Sequence, residues 1–503
     1  MTLESMNSST EPVISPPEKD ERQSANWDIR NAPKNYFSLV VSQGFSAFFA
    51  FAAVWLISKK IGSEGYGGVI AIIAASQVAQ ILVNWTCYSV VRFGTEEFVN
   101  TARIASTFWL RFLVLAVNLL LVVLASNLWF PPLADWLKLP ENSFWFVILH
   151  FAASAFWLHV QFGLQGAKLP RVSGFLLTVE RFIILLGIIL LIWIDNLTPL
   201  SALLCYSISP FLMIFIGTFY LKPYLFSHFS IDPTFIKKIV AYSLPLLPFS
   251  LIGYFSGSYV DAIFVSKFLS IKDLGVYSIA TQINGITLQL PTLANSLLLP
   301  FFVTLQTGKK FEITNQYFKN VLPSLTLFWG VGCILLAFAF DLLIPIIFGE
   351  EFRDAGKALW ILLSASAISA SALFGYTALS HAVSATYIST VAAIFSSATN
   401  ILLNFLLIPR YGLIGCAWAT FFSYLISSIS IIFLTYRISG VSLSWLFFAT
   451  LPAALGLVVF SVWNNSFSGL AVSLALAVIT MIVFKNSLKQ TAIILNNIRK
   501  LQN

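Results

Sequence analysis

The chain has 503 residues, 58% of them hydrophobic and 10% charged, far below the charged share of about 25% in soluble domains. That balance excludes a string of water-soluble domains and places most of the chain in a membrane. The net charge of +8 is carried by basic residues scattered singly between apolar runs, which excludes a nucleic-acid-binding stripe and fits orientation across a bilayer.

In chain order, residues 1–33 are polar, carry Pro16 and Pro17, and contain no apolar core of a cleavable signal; they read as a disordered cytoplasmic tail. Beyond them lie about fourteen stretches long and apolar enough to cross a bilayer as helices. They run over 36–57, 68–91, 106–129, 143–164, 172–194, 200–221, 240–264, 274–301, 321–343, 358–379, 388–408, 413–436, 446–462 and 470–484. With the N-terminus in the cytoplasm, roughly 20 basic residues fall inside and about eight outside, leaving Arg181 alone in mid-span. Both termini are therefore expected on the cytoplasmic side. Cys87, Cys205, Cys333 and Cys416 lie far apart inside apolar spans, without metal-ligand spacing, and read as packing residues.

The first outer corner, "KKIGSEGYGG" (59–68), combines Gly62, Gly65, Gly67 and Gly68 with Tyr66. It reads as a tight reversal anchored by tyrosine at the membrane interface. A related corner, "KFLSIKDLGVYS" (267–278), joins spans seven and eight. Gly65 and Gly275 lie 210 residues apart, and Tyr36 and Tyr242, which open the two preceding spans, 206. Halves of about six helices in the same orientation are what a parallel internal repeat produces.

The first corner, the longer stretch "AYSLPLLPFSLIGYFSGSYVDAIFVSKFLSIKDLGVYSIATQI" (241–283) around span seven, "IFGEEFRDAGKAL" (347–359) and "NILLNFLLIPRYGLIGCAWATF" (400–421) resemble polysaccharide biosynthesis membrane proteins. These are the oligosaccharide repeat-unit flippases of the multidrug, oligosaccharidyl-lipid and polysaccharide exporter superfamily. The resemblance covers nearly the whole chain beyond the tail. It implies an all-α polytopic fold of two six-helix lobes, 34–222 and 223–437, followed by two further helices and a cytoplasmic tail in 438–503. It also implies movement of an undecaprenyl-diphosphate-linked oligosaccharide repeat unit from the inner to the outer leaflet of a bacterial inner membrane. O-antigen, capsule or exopolysaccharide synthesis would be the destination, with membrane lipid around the protein and a glycan polymerase and chain-length regulator as candidate partners. The departure from the family pattern is "YVDAIF", which keeps Asp261 but has Ala262 where family members often carry arginine.

A diphosphate and a hydrated sugar need a polar, preferably cationic passage through hydrocarbon. Arg181, about ten residues into span five, is the first candidate for it, with a residue snorkelling to the interface as the alternative. Arg92, Arg111, Lys168 and Arg171 fall near the expected inner mouth, where they either receive the diphosphate or only orient the chain. Glu180 and Asp261 are candidates for coupling to a proton or sodium gradient, or for structural bonds to neighbouring helices. His159, Gln282, Asn284 and Gln289 are candidate sugar contacts, while Ser396, Ser397, Asn400 and Asn404 read as structural. Neither a phosphate-binding glycine loop nor a zinc motif is present, so the chain reads as no enzyme and without cofactor. The rival reading is an ion-coupled multidrug and toxin extrusion antiporter, disfavoured by fourteen spans, by Arg181 and by few buried acids.

Overall fold

The computed structural model describes residues 19–226, 233–244, 258–443, 445–483 and 485. Among them the N-terminal lobe consists of α1 (Lys19–Asn84), α2 (Cys87–Thr101), α3 (Ala105–Leu124), α4 (Ser126–Leu137), α5 (Phe144–Gly166), α6 (Pro170–Trp193) and α7 (Pro199–Leu225). The second lobe has α8 (Pro233–Ser243), α9 (Ser258–Phe268), α10 (Ile271–Thr307), α11 (Phe311–Gln316), α12 (Leu322–Ile347), α13 (Arg353–Ser371), α14 (Thr377–Ala382) and α15 (Tyr387–Ser439). A closing hairpin, α16 (Leu446–Trp463) and α17 (Ser466–Val483), completes the chain. Crossings run through several of these units: among the described residues ten helices are long and apolar enough to cross a membrane, and α1 and α15 each contain two crossings, in the order expected of two repeated lobes plus two helices; the expected span 240–264 lies partly outside the described residues.

The glycine corner is tighter than its composition implies. Only Gly62 leaves the helix (φ 70°, ψ −176°), and Gly412 breaks α15 in the same way (φ 59°, ψ −137°). A side chain at either backbone setting would be strained, so one glycine suffices to turn a helix pair. Tyr66 is buried at 1% exposure rather than set at the interface, because the helix resumes at once and turns that face into the core.

Two further differences concern boundaries. The helix of α1 begins at Lys19, inside the segment expected to be a disordered tail, since "KDERQSANWD" favours helix as an extension of the span. The third span ends at Leu124, and the connection after it carries α4, whose Lys138 C-cap donates to the Leu269 carbonyl. Lys267 sits 5.1 Å over the Trp136 ring, so α4 ties the first lobe to the second.

Packing follows small residues. The Ala and Ser stripe of α13 allows close helix approach, and nearly all of that helix is buried. Trp360 on α13 stacks on Phe460 of α16 at 4.7 Å, which holds the terminal hairpin to the second lobe. Two π-helical turns, Tyr317–Val321 and Ala372–Tyr376, face each other. There the Tyr317 hydroxyl donates to the Phe374 carbonyl at 2.7 Å, satisfying a backbone group that the wider turn releases.

Candidate functional site

In the first lobe, buried polar groups gather where the second crossing breaks. The turn at Trp85 and Thr86 ends α1 at Asn84, whose amide donates to the Gln80 carbonyl oxygen at 3.3 Å and accepts from Arg111 Nη2 at 3.1 Å. Arg111 has no solvent exposure, and among the described residues its Nε and Nη1 have no hydrogen-bond partner. Arg111 lies two turns into α3, about 9 Å along the helix, beneath α2 and α5. A buried guanidinium with two unmet donors is costly, and its geometry suits an anionic oxygen acceptor.

Glu180 and Arg181, adjacent on α6, take different surroundings. The Glu180 carboxylate accepts from Trp157 Nε1 at 2.7 Å, and its backbone carbonyl accepts from Ser209 Oγ at 2.8 Å, so it locks α6 to α5 and α7. Arg181 is half-buried, makes no hydrogen bond or ion pair among the described residues, and lies within electrostatic reach of Glu180 and His150. His150 is itself held by Ser76 Oγ at 2.6 Å. Arg92 is exposed partway along α2, Arg171 is exposed in the first turn of α6, and Lys168 occupies the positive-φ corner (φ 55°) before it. None of these three joins Arg111.

In the second lobe, the Asp261 carboxylate on α9 receives four donors: Asn404 Nδ2 at 3.0 Å, Asn400 Nδ2 at 3.3 Å, Thr420 Oγ1 at 2.8 Å and Tyr277 OH at 3.1 Å. Asn404 Oδ1 remains without a partner. Asn400, Asn404 and Thr420 come from the two halves of α15, which the Gly412 break brings back alongside α9. Sequence reasoning kept Asp261 apart from Asn400 and Asn404 and missed Tyr277 and Thr420, because only the hairpin makes them neighbours.

Between the lobes, α1, α10 and α12 border a cleft of about 540 Å³, with Gln43 and Gln289 among otherwise mainly apolar walls. Gln289 therefore lines a cavity, whereas Asn284 is buried and accepts from Ser366 Oγ at 2.7 Å, and Gln282 is half-buried. His159 is buried against Phe108 in the first lobe rather than in this cleft.

The lobes meet at both ends. At one end the Glu351 carboxylate accepts from Ser63 Oγ at 2.7 Å and Ser63 N–H at 3.3 Å, and Trp55 Nε1 donates to the Ile347 carbonyl at 2.9 Å. The two repeat corners touch there: a β-carbon on Gly67 would strike the Ile271 carbonyl, and one on Gly275 the Ser63 carbonyl. At the other end Phe93 packs against Phe235 and Tyr242 at 5.8 and 5.2 Å, with Lys238 Nζ 4.9 Å from the Phe93 ring centre.

Two repeated helical lobes, a cleft between them and charges buried in each define a multi-pass membrane protein of the transporter type of fold. A family model described as "Polysaccharide biosynthesis protein" matches residues 32–306, more than half of the chain. The chain belongs to that family. It is 25% identical over 195 residues to the "Probable low-salt glycan biosynthesis flippase Agl15" of Haloferax volcanii, an overlap of 38% of this chain and 40% of that one. The chain thus spans about two fifths of that relative's length. Its fold is similar to that of the lipid II flippase MurJ in an inward closed conformation, with a TM-score of 0.66 at 14% identity over 90% of this chain and 99% of the other. It is also similar to an inward-facing multidrug resistance MATE family transporter of the MOP superfamily, with a TM-score of 0.57 at 12% identity over 80% and 98%.

Proposed function

We propose that the chain flips a lipid-linked oligosaccharide, an undecaprenyl-diphosphate-linked repeat unit, from the inner to the outer leaflet by alternating access. The observation that carries this reading is the pair of first-lobe cations, Arg111 with two unmet donors and Arg181 without an ion pair among the described residues. Cations inside a bilayer are costly unless they meet a partner, and a diphosphate supplies one that guanidinium grips in a fork. The name of the glycan biosynthesis flippase relative supports the same substrate class. The glycan headgroup would travel through the interlobe cleft, past Gln289, while the prenyl tail stays in lipid. Synthesis of O-antigen, capsule or exopolysaccharide in a bacterial inner membrane, with both termini cytoplasmic and a polymerase and chain-length regulator nearby, is the setting this reading favours.

The test uses purified protein in proteoliposomes with a labelled undecaprenyl-diphosphate oligosaccharide, following outer-leaflet exposure. Wild type will translocate it, and a folded Arg181→Ala variant will fall at least tenfold, equivalent to about 1.4 kcal/mol. Failure with several glycan donors, combined with export of a cationic dye down an ion gradient, would instead establish the antiporter.

Coupling is assigned to the Asp261 cluster, where a carboxylate, the unpartnered Asn404 Oδ1 and Thr420 Oγ1 offer hard oxygen ligands for a sodium ion, or a carboxylate for a proton. Asp261→Asn preserves shape and removes the charge. It will leave the membrane-inserted protein folded and abolish the acceleration of transport by an imposed sodium or proton gradient. Equal gradient dependence in the variant and wild type would remove Asp261 from coupling.

A further inference from the structure

A second cavity, of about 520 Å³, opens on the first lobe away from the interlobe cleft. Its walls are α3 and α7 and its floor is α5: Phe108 and Phe112 on one side, Phe215 and Phe219 on the other, and Phe156 beneath. The two walls close together one turn toward the Lys222 end, where Phe108 and Leu221 both crowd Gly163 and the Ile104 N–H donates to the Tyr224 carbonyl at 3.0 Å. The groove follows α7 from Ile214 past Lys222 to Leu225, eleven residues or about 16 Å.

Two features give this groove a chemical sense. His159 is 1% exposed, lines the groove, and neither ring nitrogen has a hydrogen-bond partner among the described residues. A buried imidazole left in that state loses the hydrogen bonds water would give it, so an acceptor is missing at the floor. Lys222 stands exposed at the groove's mouth and makes no ion pair among the described residues. Arg103, also exposed, immediately precedes the Ile104 that is bonded to Tyr224. The nearby Glu97 is already occupied, its carboxylate accepting from the Ser106 and Thr107 N–H groups at 2.9 and 2.8 Å.

We infer that this groove is a binding site for an anionic glycerophospholipid of the leaflet that faces Lys222. The acyl chain lies along the phenylalanines, an ester carbonyl accepts from the His159 N–H, and the phosphate rests on Lys222 with Arg103 adding field. The ordering fits the lipid: its ester carbonyls sit one short step deeper than its phosphate, as His159 sits one turn of α5 deeper than the Gly163 level at which Leu221 packs. A polyprenyl chain would fill the aromatic walls and leave His159 unmet, since it has no carbonyl. The groove therefore belongs to the surrounding membrane rather than to the transported glycan lipid, and bound lipid would brace α3 against α7.

Trp109 lines the same groove and reports on it directly. The full chain is reconstituted in phosphatidylcholine vesicles carrying a trace of either bromine-labelled phosphatidylglycerol or bromine-labelled phosphatidylcholine. The quenching lost in Trp109→Phe isolates the contribution of this residue. That contribution will be about fivefold more sensitive to the anionic lipid, the preference one surface cation confers. Lys222→Gln will erase the preference, Lys222→Arg will keep it, and His159→Phe will weaken quenching by ester-linked lipid but not by its ether-linked analogue, which lacks the carbonyl. Equal quenching by the two labelled lipids would overturn the proposal. Displacement of the labelled phosphatidylglycerol by equimolar polyprenyl phosphate would overturn it too, by assigning the groove to the substrate tail. Because fluorescence reads occupancy alone, either result stands whether or not the chain flips glycans.

Discussion

Replacing Gly67 or Gly275 by valine will hold open the seam between the two repeat corners and reduce transport to background. At both positions a β-carbon would run into backbone, the Ile271 carbonyl for Gly67 and the Ser63 carbonyl for Gly275, and backbone cannot swing aside as a flexible side chain can. The lobes must separate locally, and with them go the Ser63 bonds to Glu351. Each helix is itself undamaged, since valine lowers helix propensity less than glycine does; membrane insertion and expression will therefore be retained. Spin labels at Lys59→Cys and Lys272→Cys, both exposed at the repeat corners, will report a longer and broader distance in the variants. Gly285→Ala is the control on the same helix, because nothing lies within 4 Å of its would-be β-carbon. An unchanged distance with full transport in Gly67→Val would mean that the seam is not a gate.

Arg111→Met will separate stability from activity. A guanidinium with no solvent exposure and only Asn84 as acceptor carries a desolvation cost that its single bond does not offset, and buried charges replaced by apolar side chains of similar volume often gain about 1–4 kcal/mol. Thermal unfolding of the purified variant will occur at the wild-type temperature or above it. Glycan-lipid translocation in proteoliposomes will fall by about two orders of magnitude, the loss expected when about 3 kcal/mol of charge-assisted binding disappears. A lowered unfolding temperature with transport preserved would make Arg111 a structural residue and leave the diphosphate to Arg181. That pattern distinguishes the two roles without any assumption about the sugar.

Much of the membrane architecture was legible because its physics is one-dimensional. A run of about 20 apolar residues must be a helix to satisfy its backbone in lipid, and the surplus of lysine and arginine on alternate connections sets an expected orientation. The repeat was legible in the two glycine corners, although their pairing was shifted: the structure sets Gly67, not Gly65, against Gly275. Glycine richness at 62–68 overstated the turn, since sequence cannot distinguish a glycine that needs positive φ, as Gly62 does, from one that lets another helix approach, as Gly67 does. The additional helix α4 escaped because its "WFPPLADWL" reads as the end of an apolar span followed by a proline loop.

The site was less legible, and for a single physical reason: hydrogen bonds in a helical bundle join residues remote in sequence. Asp261 and Thr420 lie 159 positions apart and become partners at 2.8 Å only through the Gly412 hairpin. Arg111 reads as a residue of the membrane rim until α2, α3 and α5 pack around it. Arg181 and Glu180, adjacent in the chain, separate because successive helical residues point about 100° apart. By itself the sequence determined the membrane class, the succession of helices, the repeated corners and the family, all carried by local composition and spacing. Tertiary structure alone decided which charges are buried without partners, where the lobes touch and which groove lies open to lipid, because burial and partnership belong to faces that only packing brings together.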